Sequence, residues 1–286
     1  VILSALRRHS PTDEPPLSLS VVSHGQSALL TRLKYSMRLR HLSCLFVLLV
    51  SCLSLPPALA FQDPNALAAS VDRALLAQFV AADDGGRRAL VQAHPEILEK
   101  DFREGLNITG HKLRGQGNSD AAEQHYLAAL FVGREYHITA TETAARNNLG
   151  IIYGDRGELD AAKAQFDALL AMGTATNDTS LMLSSYSNLG ITARRTGRLE
   201  EALTLQSRAR ALAEERGDRN ALARTLNNMG AVERDLGHYQ RAVELLSQSL
   251  GIKEQGAVEP VDIANTLVNL GATYAEQGDY PLAVNY

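Results

Sequence analysis

The sequence predicts an all-α fold: a solenoid of stacked helix-turn-helix units with a helical cap on its N-terminal side. Three observations predict it. A glycine recurs at Gly110, Gly150, Gly190, Gly230 and Gly271, at steps of 40, 40, 40 and 41 residues. A second glycine follows each of these by seven, at Gly117, Gly157, Gly197, Gly237 and Gly278, and an alanine follows five further on, at Ala122, Ala162, Ala202, Ala242 and Ala283. A period of this length marks an array of small units that bury their apolar faces against one another.

Residues 1–36 begin with Val, are polar and Pro-rich, and precede the start expected at Met37, so they are expected to be a disordered leader outside the native chain. From Met37 the chain runs Met-Arg-Leu-Arg-His, then almost wholly apolar from Leu42 to Leu55, then Pro-Pro-Ala58-Leu59-Ala60. A basic head, a short apolar run and an Ala-x-Ala exit describe a secretory signal peptide over 37–60. The run is too short for a comfortable membrane span. Leu49-Val50-Ser51-Cys52 offers a second reading, a bacterial lipobox that leaves Cys52 lipidated. The expected location is the bacterial periplasm or the medium, with an outer-membrane lipoprotein as the alternative. Membrane contact is expected only through the signal or that lipid.

Residues 61–102 read as the cap, with helices over 65–82 and 84–93 separated by Asp83-Asp84-Gly85-Gly86 and a boundary at His94-Pro95. Five units follow at about 103–142, 143–182, 183–222, 223–263 and 264–286. In each, the first glycine and the alanine leave little side chain where two antiparallel helices cross. The second glycine permits the positive φ that ends the first helix. Asn118, Glu158 and Asp279 then stand where the second helix starts. A large apolar residue stands sixteen after the first glycine at Tyr126, Phe166 and Leu246, and Gln206 breaks that column. The fifth unit stops at Asn285-Tyr286, early in its second helix, so the chain is expected to be a fragment of a longer protein.

This register resembles the tetratricopeptide repeat in its form of about 40 residues, as in kinesin light chains and bacterial arrays, over residues 103–286. The family's usual Trp is absent, and no Pro closes the second helix. The resemblance implies a right-handed α-solenoid whose concave face binds protein segments.

Two residues before the glycine of the last four units stands an asparagine: Asn148, Asn188, Asn228 and Asn269, doubled by Asn147 and Asn227. An amide donates and accepts, matching a peptide unit of an extended ligand. In the resembled family such asparagines lie near the concave face and hold bound backbone. The other reading is that these amides bridge adjacent helices or cap local backbone. Arg194 and Arg234, with Arg114, Arg195, Asp155, Asp235 and Glu276, either line the groove or form a solvated mixed-charge face. The family's carboxylate clamp needs lysines that this chain lacks at matching places.

Function classes narrow further by composition. Residues 61–286 carry 22 Lys/Arg against 30 Asp/Glu, which gives no support to nucleic-acid binding. Both cysteines, Cys44 and Cys52, lie in the signal segment, leaving the body without disulfides or thiol chemistry. No hydrolase, phosphate-loop or zinc-protease motif is present, and His94, His111, His125, His137 and His238 lack metal-ligand spacing. Asn107-Ile-Thr109 and Asn177-Asp-Thr179 match glycosylation acceptors by chance in this context. The expectation is a non-catalytic scaffold without cofactor or metal that binds a protein or peptide. The alternative rests on architecture: signal, cap and 40-residue repeats resemble proteins in which such an array precedes a caspase-like CHAT peptidase domain, here beyond residue 286.

Overall fold

The computed structural model describes residues 71–256 and 260–286. The predicted leader, signal peptide and first turns of the cap helix, with Cys52, lie outside the described residues. Helices α1 (Arg73–Ala81) and α2 (Asp84–Ala93) lead into a 3₁₀ turn at Pro95–Leu98. Five helix pairs follow: α3 (Lys100–Gly115) with α4 (Ser119–Glu135), α5 (Thr139–Arg156) with α6 (Leu159–Thr176), and α7 (Thr179–Arg195) with α8 (Leu199–Glu215). The last two are α9 (Arg219–Asp235) with α10 (Tyr239–Glu254), and α11 (Pro260–Gln277) with α12 (Tyr280–Asn285). Among the described residues there is no strand.

In the cap, Asp72 accepts hydrogen bonds from the Ala74 and Leu75 amides, which sets the start of α1. Gly85 and Gly86 do not separate the cap helices as expected. They lie inside α2, because the Asp83 carboxylate caps the helix by accepting from the Gly86 amide at 2.7 Å. Phe79 is fully buried and meets Phe102 and Phe131 edge-on at 5.8 and 6.3 Å, joining cap to first unit.

Within each unit the two small-residue columns act together. An added Cβ on Gly110 would lie 2.5 Å from the Tyr126 ring, and one on Gly150 would lie 2.6 Å from the Phe166 ring. On Gly230 it would meet Leu246 at 2.7 Å. The large residue sixteen positions on therefore packs directly over the glycine, and Gln206 takes the same place over Gly190 at 2.5 Å. Ala122, Ala162, Ala202 and Ala242 are wholly buried beside these contacts.

The turns follow the chemistry. Gly117, Gly157, Gly197, Gly237 and Gly278 all have φ between 76° and 91°, the left-handed region that glycine enters without strain. Asn118 and Asp279 cap the next helix, accepting from Ala121 and Leu282. Glu158 makes no side-chain cap. A second left-handed row ends the second helices, at His137, Asn177 and Gly217. Asp178 and Asp218 then cap α7 and α9. The first helices start three or four residues before the boundaries at 103, 143, 183, 223 and 264 that the glycine register gives.

Neighbouring helices in sequence pack along their length. Across units, α3 touches α5, α7 touches α9 and α9 touches α11, while the second helices stay further apart. The first helices therefore form the inner, concave wall of the stack, and the second helices form its outer wall.

Candidate functional site

The asparagine column lies on that inner wall, at the line where successive first helices meet. Asn148 Nδ2 donates to Asn107 Oδ1 at 3.4 Å, Asn188 Nδ2 to Asn147 Oδ1 at 3.2 Å, and Asn269 Nδ2 to Asn227 Oδ1 at 3.1 Å. Asn228 Nδ2 donates to Ser187 Oγ at 3.4 Å. Each rung joins the amide of one unit to the residue 41 or 42 positions earlier, in the preceding unit. The doubled asparagines are thus one residue giving a hydrogen bond backwards and its neighbour accepting one from ahead. Asn148 is buried, whereas Asn147, Asn188, Asn227, Asn228 and Asn269 are half-buried.

Each rung consumes only half of an amide. The Oδ1 atoms of Asn148, Asn188, Asn228 and Asn269, and the Nδ2 atoms of Asn147 and Asn227, have no hydrogen-bond partner among the described residues. The wall thus retains acceptors and donors in alternation. One helical turn along from Asn148 and Asn188 lie Ile151, half-buried, and Ile191, 39% exposed. Val268, in the same row as Asn147 and Asn227, is 67% exposed. Apolar patches therefore flank the amides.

The arginines are bound into the stack. Arg194 Nε donates to Asp235 Oδ2 at 2.6 Å in the next unit, and Arg234 reaches Asp235 at 3.3 Å and Glu276 at 3.5 Å. Arg195 donates to the Gly154 carbonyl of the preceding unit. Arg114 Nη1 is buried without a hydrogen-bond partner, beside His111 and Tyr126. Tyr126 Oη and His111 Nδ1 lie 3.1 Å apart, and burial lowers the His111 pKa from its ordinary value, with Arg114 adding to the effect. Between the first and second units, Arg156 pairs with Asp120 and Glu123, and Tyr153 donates to Glu123 at 3.0 Å. Burial, with that bond, pushes the Tyr153 hydroxyl up to about 12. These groups tie one unit to the next.

The sequence left open whether the amides line a groove or bridge adjacent helices and whether the arginines line it or form a solvated face; the bonds observed bridge successive units. The clue was present: Arg194 and Asp235 are one unit plus one residue apart, the same offset as Asn188 and Asn147. Among the described residues, no group of three or more His, Cys, Asp and Glu side chains is gathered to hold a metal ion. Among them, too, no helix is long and apolar enough to cross a membrane.

Residues 143–177 and 181–255 match family models described as tetratricopeptide repeat. Among solved structures, BtubC (BKLC) from P. vanneervenii is similar at 21% identity over 75% of this chain and 88% of that one, with a TM-score of 0.57. MamA is similar at 21% identity over 62% of this chain and 89% of its own, with a TM-score of 0.42. A candidate kinesin light chain of nearly identical TPR-like repeats from Podosopora anserina shares 17% identity over 63% of this chain and 88% of its own, at a TM-score of 0.49. No curated protein matches the chain in sequence. The fold of these repeats is typically non-catalytic and serves contacts between proteins. The glycine register, the stacked helix pairs and these matches show that the chain carries tetratricopeptide repeats over residues 143–177 and 181–255.

Proposed function

We propose that the chain is an exported scaffold that holds an extended protein segment along its inner wall, making and breaking no bond. The observation that carries this reading is the row of half-used amides beside exposed Ile191. An extended backbone offers one N–H and one C=O per residue, and the free Oδ1 and Nδ2 atoms complement both. Each such contact adds about 0.5–1.5 kcal/mol net, so side-chain recognition must supply most of the affinity. The export part rests on the signal-like sequence of residues 37–60.

Two experiments test it. The full chain is panned against a random-peptide display library, and selected peptides are titrated against Ile191→Glu, which places a charge on the inner wall and leaves every amide rung in place. Peptide binding that falls about tenfold with helix content unchanged supports the reading; selected peptides that ignore Ile191→Glu oppose it. Asn228→Ala is expected to weaken such peptides tenfold at most, and loss of the folded array in that variant assigns the amides to the stack alone. For export, the mass of the secreted product decides: an N-terminus at Phe61 fits signal cleavage, a lipid-modified Cys52 fits the lipoprotein, and an uncleaved cytoplasmic chain opposes both.

A further inference from the structure

The third unit departs from its neighbours at two positions that touch each other. Where Asn107, Asn147 and Asn227 form the accepting row, it has the shorter Ser187. Where Tyr126, Phe166 and Leu246 cover their glycines, it has Gln206, wholly buried, whose Nε2 donates to the Ser187 carbonyl at 2.9 Å. At this place a hollow of about 160 Å³ opens between α7 and α9, lined by Leu183, Ser184, Ser187, Asn188, Arg224 and Thr225 with Ala221. That volume accommodates a side chain of a few heavy atoms.

Three protons around the hollow are already assigned. Ser184 Oγ donates to the Leu181 carbonyl at 3.0 Å, Thr225 Oγ1 to the Ala221 carbonyl at 2.9 Å, and Asn188 Nδ2 to Asn147 at 3.2 Å. Ser184 and Thr225 are then left with acceptor oxygen, and Asn188 with its Oδ1 and a second N–H. Ser187 Oγ accepts from Asn228 and keeps its own proton to give. Arg224 is exposed and forms no ion pair among the described residues; its charged neighbour is the like-charged Lys253, whose ammonium burial disfavours.

This pattern discriminates among side chains. A carboxylate has oxygen lone pairs only: it would accept from Arg224 and Ser187 but leave the Ser184, Thr225 and Asn188 oxygens facing its own. An ammonium would find the acceptors but would sit beside Arg224. A hydrocarbon would leave the hydroxyls and the amide oxygen unsolvated. A primary carboxamide has two N–H donors and one acceptor oxygen, the complement of the lining.

We propose that this hollow is a subsite for the carboxamide of a glutamine or asparagine side chain in a bound segment, with Ser184, Asn188 and Thr225 accepting from its NH₂ and Ser187 and Arg224 donating to its oxygen. The proposal rests on the reading of the inner wall as a segment-binding surface and adds what that surface selects. It also gives Ser187 and Gln206 a joint role: the serine opens the space, and the glutamine fixes the backbone beneath it.

The test uses the full chain and peptides from a random display library, selected in parallel on the wild type and on Ser187→Asn. The variant restores the residue of three other units and fills the hollow. Wild-type peptides are expected to share Gln or Asn at one position, and replacing it with Glu weakens binding about tenfold or more, the penalty of an unmatched polar site. On Ser187→Asn that Gln-to-Glu ratio falls to about twofold or less while the peptides still bind through their other positions. Thr225→Val, which keeps the shape and removes one acceptor, lowers the same ratio and serves as the second variant. Peptides that bind the wild type with Glu tolerated everywhere, or a ratio unchanged in both variants, overturn the subsite and leave the wall reading intact. Selection that yields no peptide on either chain overturns both.

Discussion

The junction between the second and third units and that between the fourth and fifth solve one packing problem with opposite residues. Near the end of each second helix runs a row at Gly133, Gly173, Ala213 and Lys253, spaced by 40, and nine residues later the next first helix passes over it. At Gly173 an added Cβ would lie 3.1 Å from the Met182 amide nitrogen and side chain; at Gly133 it would lie 2.5 Å from the Glu142 nitrogen. At the fourth junction the row carries a lysine that is 3% exposed, and its Nζ donates to the Asp262 carbonyl and to Thr266 Oγ1, both at 2.8 Å. The early junctions close by direct backbone approach. The late one, with the chain's 41-residue step, is bridged by a buried ammonium that donates to a first-turn carbonyl of α11 and to Thr266. Equal spacing in a repeat therefore does not mean equal contacts.

The sharpest way to break this comparison is Gly133→Ala. Backbone atoms of Glu142 cannot yield, so the variant is expected to lose about 3 kcal/mol, read as a fall in the urea midpoint. Lys253→Ala removes two hydrogen bonds and the packed stem and is expected to lose about 2 kcal/mol, with faster amide exchange confined to α10 and α11. Exchange that quickens evenly through the stack would show that the lysine does not define the junction. Gly173→Ala is milder, about 1 kcal/mol, because the Met182 side chain can give while its amide cannot.

The smallest effect is a pH dependence. Burial lowers the Lys253 pKa from 10.5, Asp262 opposes the shift and Arg224 adds to it. In the window below 10.5 the unfolded chain binds the proton more readily than the folded one, so stability rises with pH there. Lys253→Met lacks that rise, and the difference between the two titrations measures it. Parallel curves would remove burial of the charge from the account.

Much of the fold was legible because its rules act within one unit. The sixteen-residue offset between Gly150 and Phe166 is a contact inside a hairpin, so it repeats as a pair of residue types and is visible in a single chain. Gln206 shows the limit of that logic: it breaks the pattern of type and keeps the place, because a long side chain covers the glycine whether or not it is apolar. Contacts between units were harder to read. The Asn188–Asn147 and Arg194–Asp235 bonds need the stacking offset, one residue beyond the period, which packing sets. Lys253 could not be found by its row, since glycine, alanine and lysine share no chemistry. Nor did the sequence reveal the hollow beside Ser187, which arises from one short side chain in a row of amides.

The amide rungs give the stack a direction. Donation always runs from a later unit to an earlier one, so the series needs a residue able to accept at one position and a donor at the next. Ile108 supplies no donor at the opening unit, and Val268 supplies no acceptor at the fifth. A copy of the second unit spliced into the middle would extend the chain of amides, while the same copy placed behind the fifth would find nothing to grip. Order among these modules is thus written in hydrogen-bond polarity, and they are not interchangeable bricks.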